Sequence, residues 1–508
     1  MLPSKSDPRP TKRSRYRWIA PLLIIALVAF IGFQAFIASH QAPMPAPTLP
    51  GQVPLSNGSE IQTSPLLYVP TDERPSVSNP NDYASAEVVA ANPDQNYYVS
   101  RDGSDSNPGI LGQPWRTLKK AASVLRAGDT LYIRGGVYTE SVDFFRSGTS
   151  TAPISVLAYP GESPVIDGSN DSLPSPDWNP LVKLSGEYII IAGLEIRYSG
   201  GMGLALSGKH TTADRINAHH NRQNGILIAA DYGLVQNSQV WSNCMSNVNG
   251  GSSDGWASGL SAARAPNYAV IRKNVVYGNW GEGLSTYEAN GTLIEDNIVH
   301  DNWSANVYIS DATRVLAQRN FVYTTGAMTG GTQVGIMLGD EKYKPPSANI
   351  EIINNIVYGA NRNFYWWQGT QGGGMNNVTI ANNTFVNSTG TAGVIIAAGP
   401  HQNVSFSNNL ILQEDPLPVA TVAKNSELHF SNNLWSKAPS SAAVGPGDVV
   451  GDPQLTKSGS QYTPQWFMLS NLSPAIDQAT SIPGAGVDYF GNRRGAFFDM
   501  GANELVTP

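Results

Sequence analysis

The feature that most constrains this chain is an internal repeat. Asparagine followed by apolar, β-prone residues recurs at Asn217, Asn237, Asn274, Asn297, Asn320, Asn355, Asn383, Asn409 and Asn433, with several neighbours 20 to 24 positions apart. A period of that size marks a solenoid, in which each repeat is one turn that buries its apolar side against its neighbours. Each unit holds two or three short strands, as in RKNVVYGNWGEGLSTYEANGTLIE, and the L-x-x-L-x-L frame of a leucine-rich repeat is absent. The pattern therefore predicts an all-β chain wound as a parallel β-helix, with the asparagines stacked at one bend in a hydrogen-bonded ladder. Glu195 takes the same slot one turn earlier, and the inserts at 245–258 and 326–346 read as loops beside the coil.

The flanks read differently. Residues 19–38 are twenty positions without a charge, about the length that crosses a bilayer. The first 18 residues carry six bases against one acid, which by the positive-inside rule keeps that end in the cytoplasm. An uncleaved transmembrane signal anchor is expected, with a secreted, cleaved form as the alternative. Residues 39–96 hold ten prolines and no hydrophobic periodicity, and read as a disordered linker. Leu118, Ala121, Ala122 and Leu125 fall at helical spacing, so a short helix should plug the open start of the coil. The coil is expected over 97–436. After Asn433 the period stops, and 437–508 reads as a C-terminal cap segment.

Charge narrows the partners. The whole chain carries −7, so removing the +5 of the first 18 residues leaves −12. Such a surface lacks the basic footprint that nucleic acid requires. The single cysteine, Cys244, excludes an intrachain disulfide framework. A monomer is expected.

YYVSRDGSDSNPG, then PWRTLKKAASVLRAGDTLYIRGGVYTE, then APISVLAYPGESPVIDGS resembles the opening of right-handed parallel β-helix proteins of the pectate-lyase-like superfamily. DPQL, LSPAID and DMGANE resemble the tail that follows many exported members, so the likeness covers 97 to about 505. The resemblance implies right-handed winding and polysaccharide as partner, and its lyases imply a calcium ion. Their DG-aromatic motif is present as Asp254-Gly255-Trp256. Their calcium-binding acidic motif aligns with Gly281 to Ser285 and keeps one acid, Glu282, short of the several oxygen ligands calcium takes. Their lysine aligns with Tyr308. No metal ligand set is assigned.

Strand alternation after each Gly/Asn bend predicts an outward row of Leu227, Ser261, Ser285, Tyr308, Met337, Tyr365 and Ile395. Three positions further on lie Ala230, Arg264, Glu288, Asp311, Asp340, Gln368 and Ala398. Acids in file one turn apart need a cation, a shared proton or a substrate beside them. Glu288, Asp311, Asp340, Tyr308, Arg264 and Glu282 are therefore the catalytic candidates. Tyr287, Trp367, Tyr365, His300 and Asp254 are the substrate-binding candidates. Two functions fit: a polysaccharide lyase or glycosidase working in a groove along the coils, or a non-catalytic cell-surface rod that binds glycan.

Overall fold

The computed structural model describes residues 96–169, 178–250, 256–264, 266–341, 347–369 and 373–505. The anchor at 19–38, the basic tail, the linker up to residue 95 and Asp254 lie outside these. No helix among the described residues is long and apolar enough to cross a membrane.

The chain winds as a right-handed parallel β-solenoid. Among the described residues three sheets run along it, two of 13 strands and one of 11, so eleven turns contribute a strand to all three. The 11-stranded sheet is called the groove sheet here. Its inward row is Ile226, Leu260, Leu284, Val307, Ile336, Phe364 and Val394, each in register with the next and fully buried. The outward row expected from alternation is observed residue for residue, from Leu227 through Ser261, Ser285, Tyr308, Met337 and Tyr365 to Ile395.

The helix spans Leu118–Val124, starts on the Thr117 hydroxyl accepting from Lys120 N, and buries Leu118, Ala121 and Ala122. It packs against the strands Asn96–Val99 and Val142–Phe144, covering the start of the coil. Apolar side chains that would otherwise face water are closed off there.

The asparagine ladder runs from Asn274 through Asn297, Asn320, Asn355, Asn383 and Asn409 to Asn433. Each Nδ2 donates to the next Oδ1 at 2.9–3.1 Å, and each also donates to a backbone carbonyl of the preceding turn. Asp448 closes its end, accepting from the backbone N and Nδ2 of Asn433. Asn217 and Asn237 are not rungs. Ser238 fills that slot, taking the backbone N of Ile216 on its hydroxyl and giving its own N to Asn274. Asn237 stands one position earlier, at φ +53°, and Asn217 one position later, in the strand Asn217–His219. A second buried ladder, absent from the sequence reading, links Asn221, Asn243, Asn279, Asn302 and Asn306 at 2.8–3.0 Å.

The segment after Trp435 closes the end and then turns back. Val449–Val450 adds a last strand to Leu434–Trp435. Phe467, Leu469, Ala475, Phe498 and Met500 then pack on the flank of the coil, with Leu316, Phe321 and Ile353. It is a flank cover as much as a cap. The left-handed asparagines outside the ladder hold it: Asn354 donates to Val487 O, Asn382 to Asp499 O and Asn408 to Thr480 O. Arg494, whose side chain is fully buried, pairs with Glu504 at 2.9 Å and donates to Asn354 Oδ1.

Candidate active site

The outward row of the groove sheet floors a cleft of about 940 Å3. Ser261, Ser285, Tyr308, Met337 and Tyr365 form its floor; both inserts contribute wall residues, Trp256 to Ser258 from one and Thr332, Val334 and Glu341 from the other. Arg264 and Arg362 bring positive charge to it, and Trp178, Tyr287 and Trp367 bring aromatic faces.

Two titratable groups meet in its depth. Glu282 is buried; its carboxylate accepts from the Trp256 indole N–H at 2.5 Å and from Ser258 Oγ at 3.1 Å. Burial nevertheless pushes its pKa up to about 7, helped by the charge of Glu341. Tyr308 is 4% exposed and its hydroxyl donates to Glu341 Oε1 at 2.8 Å. Burial, with the Glu341 and Glu282 carboxylates beside it, drives the Tyr308 phenol far above its ordinary value, so it is a neutral donor at physiological pH. A hydroxyl file leads from Glu282 across the floor: Ser258, Ser285 and Ser261 are joined by contacts of 2.8 Å. Arg362 lies over the Tyr365 ring, 4.8 Å from its centroid.

Of the candidates from sequence, the structure brings together Glu282, Tyr308, Arg264, Tyr287, Tyr365 and Trp367. The acid file is placed elsewhere. At Arg264, Glu288 and Asp311 the backbone enters the left-handed region, with φ of +75°, +52° and +49°, and alternation stops there. Asp311 is buried, accepting from Ser310 Oγ at 2.7 Å and Glu341 N at 3.0 Å. Asp340 is 1% exposed and accepts from Ser347 N, beneath Gly373, where a β-carbon would overlap its carboxylate. Neither Glu288, Asp311 nor Asp340 lines the cleft. His300 sits in another sheet, stacked between Tyr277 and Tyr323 at 5.0 and 4.5 Å, with Nδ1 on Asp301. Sequence reasoning missed Glu341 and Arg362. Glu341 directly follows Asp340, one step past the row of Arg264, Glu288 and Asp311, and Arg362 opens the strand that carries Tyr365 and Trp367.

Calcium needs several hard oxygen ligands. Glu282, the acid kept from the calcium motif, is engaged by Trp256 and Ser258, and no group of three metal-ligating side chains occurs among the described residues. The described donor set does not fit a calcium ion.

Residues 97–403 match the family model described as Pel9A-like, right handed beta helix region. Pectate lyase PEL9 of Emericella nidulans is 32% identical over 174 residues, 32% of this chain and 42% of that protein. Pectate lyase L of Paenibacillus polymyxa is 28% identical over 170 residues, 32% of this chain and 37% of that protein. The chain spans about two fifths of the length of these curated relatives. Among solved structures, pectate lyase Pel9A aligns over 82% of this chain and 97% of its own, at 22% identity and TM-score 0.47. XylC in complex with xylose aligns over 81% and 98%, at 13% identity and TM-score 0.50.

Proposed function

Because the chain belongs to the Pel9A-like right-handed β-helix family, we propose that it is a polysaccharide lyase cleaving a uronate-containing glycan laid along the groove sheet. One observation carries this reading: a neutral phenol and a carboxyl group balanced near pH 7 share a cleft with two arginines. β-Elimination needs those parts. A base takes the proton from sugar C5, a cation offsets the uronate carboxylate, and an acid protonates the departing oxygen.

Glu282 is the base, since a group with a pKa near the working pH is both available and strong enough. Arg264 and Arg362 face the uronate carboxylate. As the C5 proton passes to Glu282, its electron pair forms the C4–C5 double bond and the C4–O bond breaks. The Tyr308 hydroxyl, held beside the bond by Glu341, turns its one proton from the Glu341 carboxylate to the leaving oxygen and transfers it there. Exchange with water then reprotonates Tyr308 and clears Glu282. Trp178, Trp256 and Tyr287 offer faces for sugar rings, and the names of the curated relatives agree with an acidic glycan as substrate.

A hydrolase is favoured by a different observation, the two carboxyl groups Glu282 and Glu341 in one cleft, one of them raised. Incubation with pectate, alginate and neutral xylan separates the readings. A lyase yields a new ultraviolet absorbance from the conjugated double bond, whereas a hydrolase yields reducing ends without it. Binding with neither product would support the non-catalytic rod.

The proposal also places the β-helix outside the cytoplasm, tethered through the apolar run at 19–38. Fractionation of cells producing the full chain tests this: the protein should stay with membranes in alkaline carbonate, and recovery in the wash would remove the tether.

A further inference from the structure

A second cleft, of about 370 Å3, opens on the same face of the groove sheet, with Lys119, Lys183, Asp143, Asn179 and Ser199 in its lining. Register places Asp143 beside Lys183, Lys183 beside Ala205, and Ala205 beside Leu227, which already lines the first cleft. Trp178 borders the first cleft and the next residues along the chain, Asn179 to Leu181, border the second, so the two clefts follow one another along one sheet face.

The charge at this end is basic. Lys183 Nζ lies 3.9 Å from Asp143 Oδ2 with both side chains 42% exposed, a weak surface pair. Asp143 is also held by the Ser185 hydroxyl at 2.6 Å. Glu140 is turned to the helix start, where it accepts from Leu118 N and Lys119 N, and Asp105 is held there by Arg116 N and Thr117 N. Two ammonium groups therefore face one carboxylate in an otherwise acidic ectodomain.

Distance gives this patch meaning. Lys183 lies five turns from Tyr308 along the outward row, through Ala205, Leu227, Ser261 and Ser285. At about 4.8 Å per turn that is ~24 Å. A pyranose chain advances by about one turn spacing per sugar, so a glycan cleaved at Tyr308 carries another uronate over the lysines. We propose that Lys119 and Lys183 form a distal subsite for the carboxylate of an acidic glycan, about five sugars from the bond cleaved at Tyr308. The inference rests on the lyase reading for the acidic character of the glycan. Its consequence is a preference for long chains, since a short oligomer reaches only one end of the groove.

Binding of polygalacturonate and alginate, and of their trimers, to the full chain and to a Lys119→Ala/Lys183→Ala variant tests it by calorimetry. Both lysine side chains reach solvent, and the variant's melting curve should match that of the wild type. Its Kd for the polymer should rise about tenfold, with weaker salt dependence, and its Kd for the trimer should stay unchanged. Unchanged polymer binding, or equal losses for polymer and trimer, would remove the subsite and leave the lyase reading standing. Wild type that binds neither acidic polymer nor trimer would overturn both.

Discussion

Tyr308 donates its hydroxyl to Glu341 Oε1 at 2.8 Å, joining a side chain on the cleft floor to an acid of the insert that walls it. The contact fixes the phenol's direction without taking its proton. It also explains why a strand position that reads as one more outward aromatic is nearly inaccessible. The geometry of the cleft depends on where an insert meets the coil.

Glu282 sets the first expectation. It must be ionised to act as base, so activity should rise with pH along a limb centred near 7. Glu282→Gln should lower kcat by about 10²–10⁴-fold. Trp256→Phe removes a hydrogen bond that favours the carboxylate, so the limb should move to higher pH. A pH–rate profile reads both; a limb that stays in place in the Trp256 variant would detach Trp256 from the tuning of Glu282.

The ladder makes a prediction about stability. Asn320 accepts from Asn297 Nδ2 and donates to Asn355 Oδ1 and Ile294 O, all while buried. Asn320→Ala strands these groups and should cost about 3 kcal/mol. Asn217→Ala, outside the ladder, loses a bond from the Trp241 indole and should cost about 1 kcal/mol or less. Denaturant titration of both variants checks the ordering.

Glu351 predicts a pH effect on folding. Its Oε2 is buried beside Gly484 of the flank cover with no hydrogen-bond partner among the described residues, and burial raises its pKa from 4.5 to about 7. The folded protein therefore holds this proton more tightly than the unfolded chain. Stability contributed here is fully present below about pH 4.5, falls as pH rises towards 7, and is flat above. Glu351→Gln should match wild type in acid and exceed it by about 2 kcal/mol in mild alkali. Melting curves at the two extremes measure the difference, and a constant offset would contradict it.

The winding was legible because its determinants are local. A Gly/Asn bend followed by alternation sets the inward row from Ile226 to Val394 without knowledge of distant contacts. The ladder was legible only to within one residue. Its rung follows a left-handed residue, as in Lys273-Asn274 and Arg319-Asn320, and asparagine suits both places. At Asn237-Ser238 the asparagine takes the bend and serine takes the rung. The same ambiguity displaced the acids: counting three positions past Tyr308 runs through the bend at Asp311, where side-chain direction no longer alternates. Glu341 and Lys183 take the places proposed for them from neighbours a turn or more away, which no local pattern records.

The most direct test of the central claim is Tyr308→Phe, which deletes one oxygen from the cleft floor. With acidic glycan as substrate, the variant should bind with about the wild-type Kd while kcat for unsaturated product falls by at least ~10²-fold. Wild-type turnover in this variant would contradict the assignment of the cleft chemistry to Tyr308.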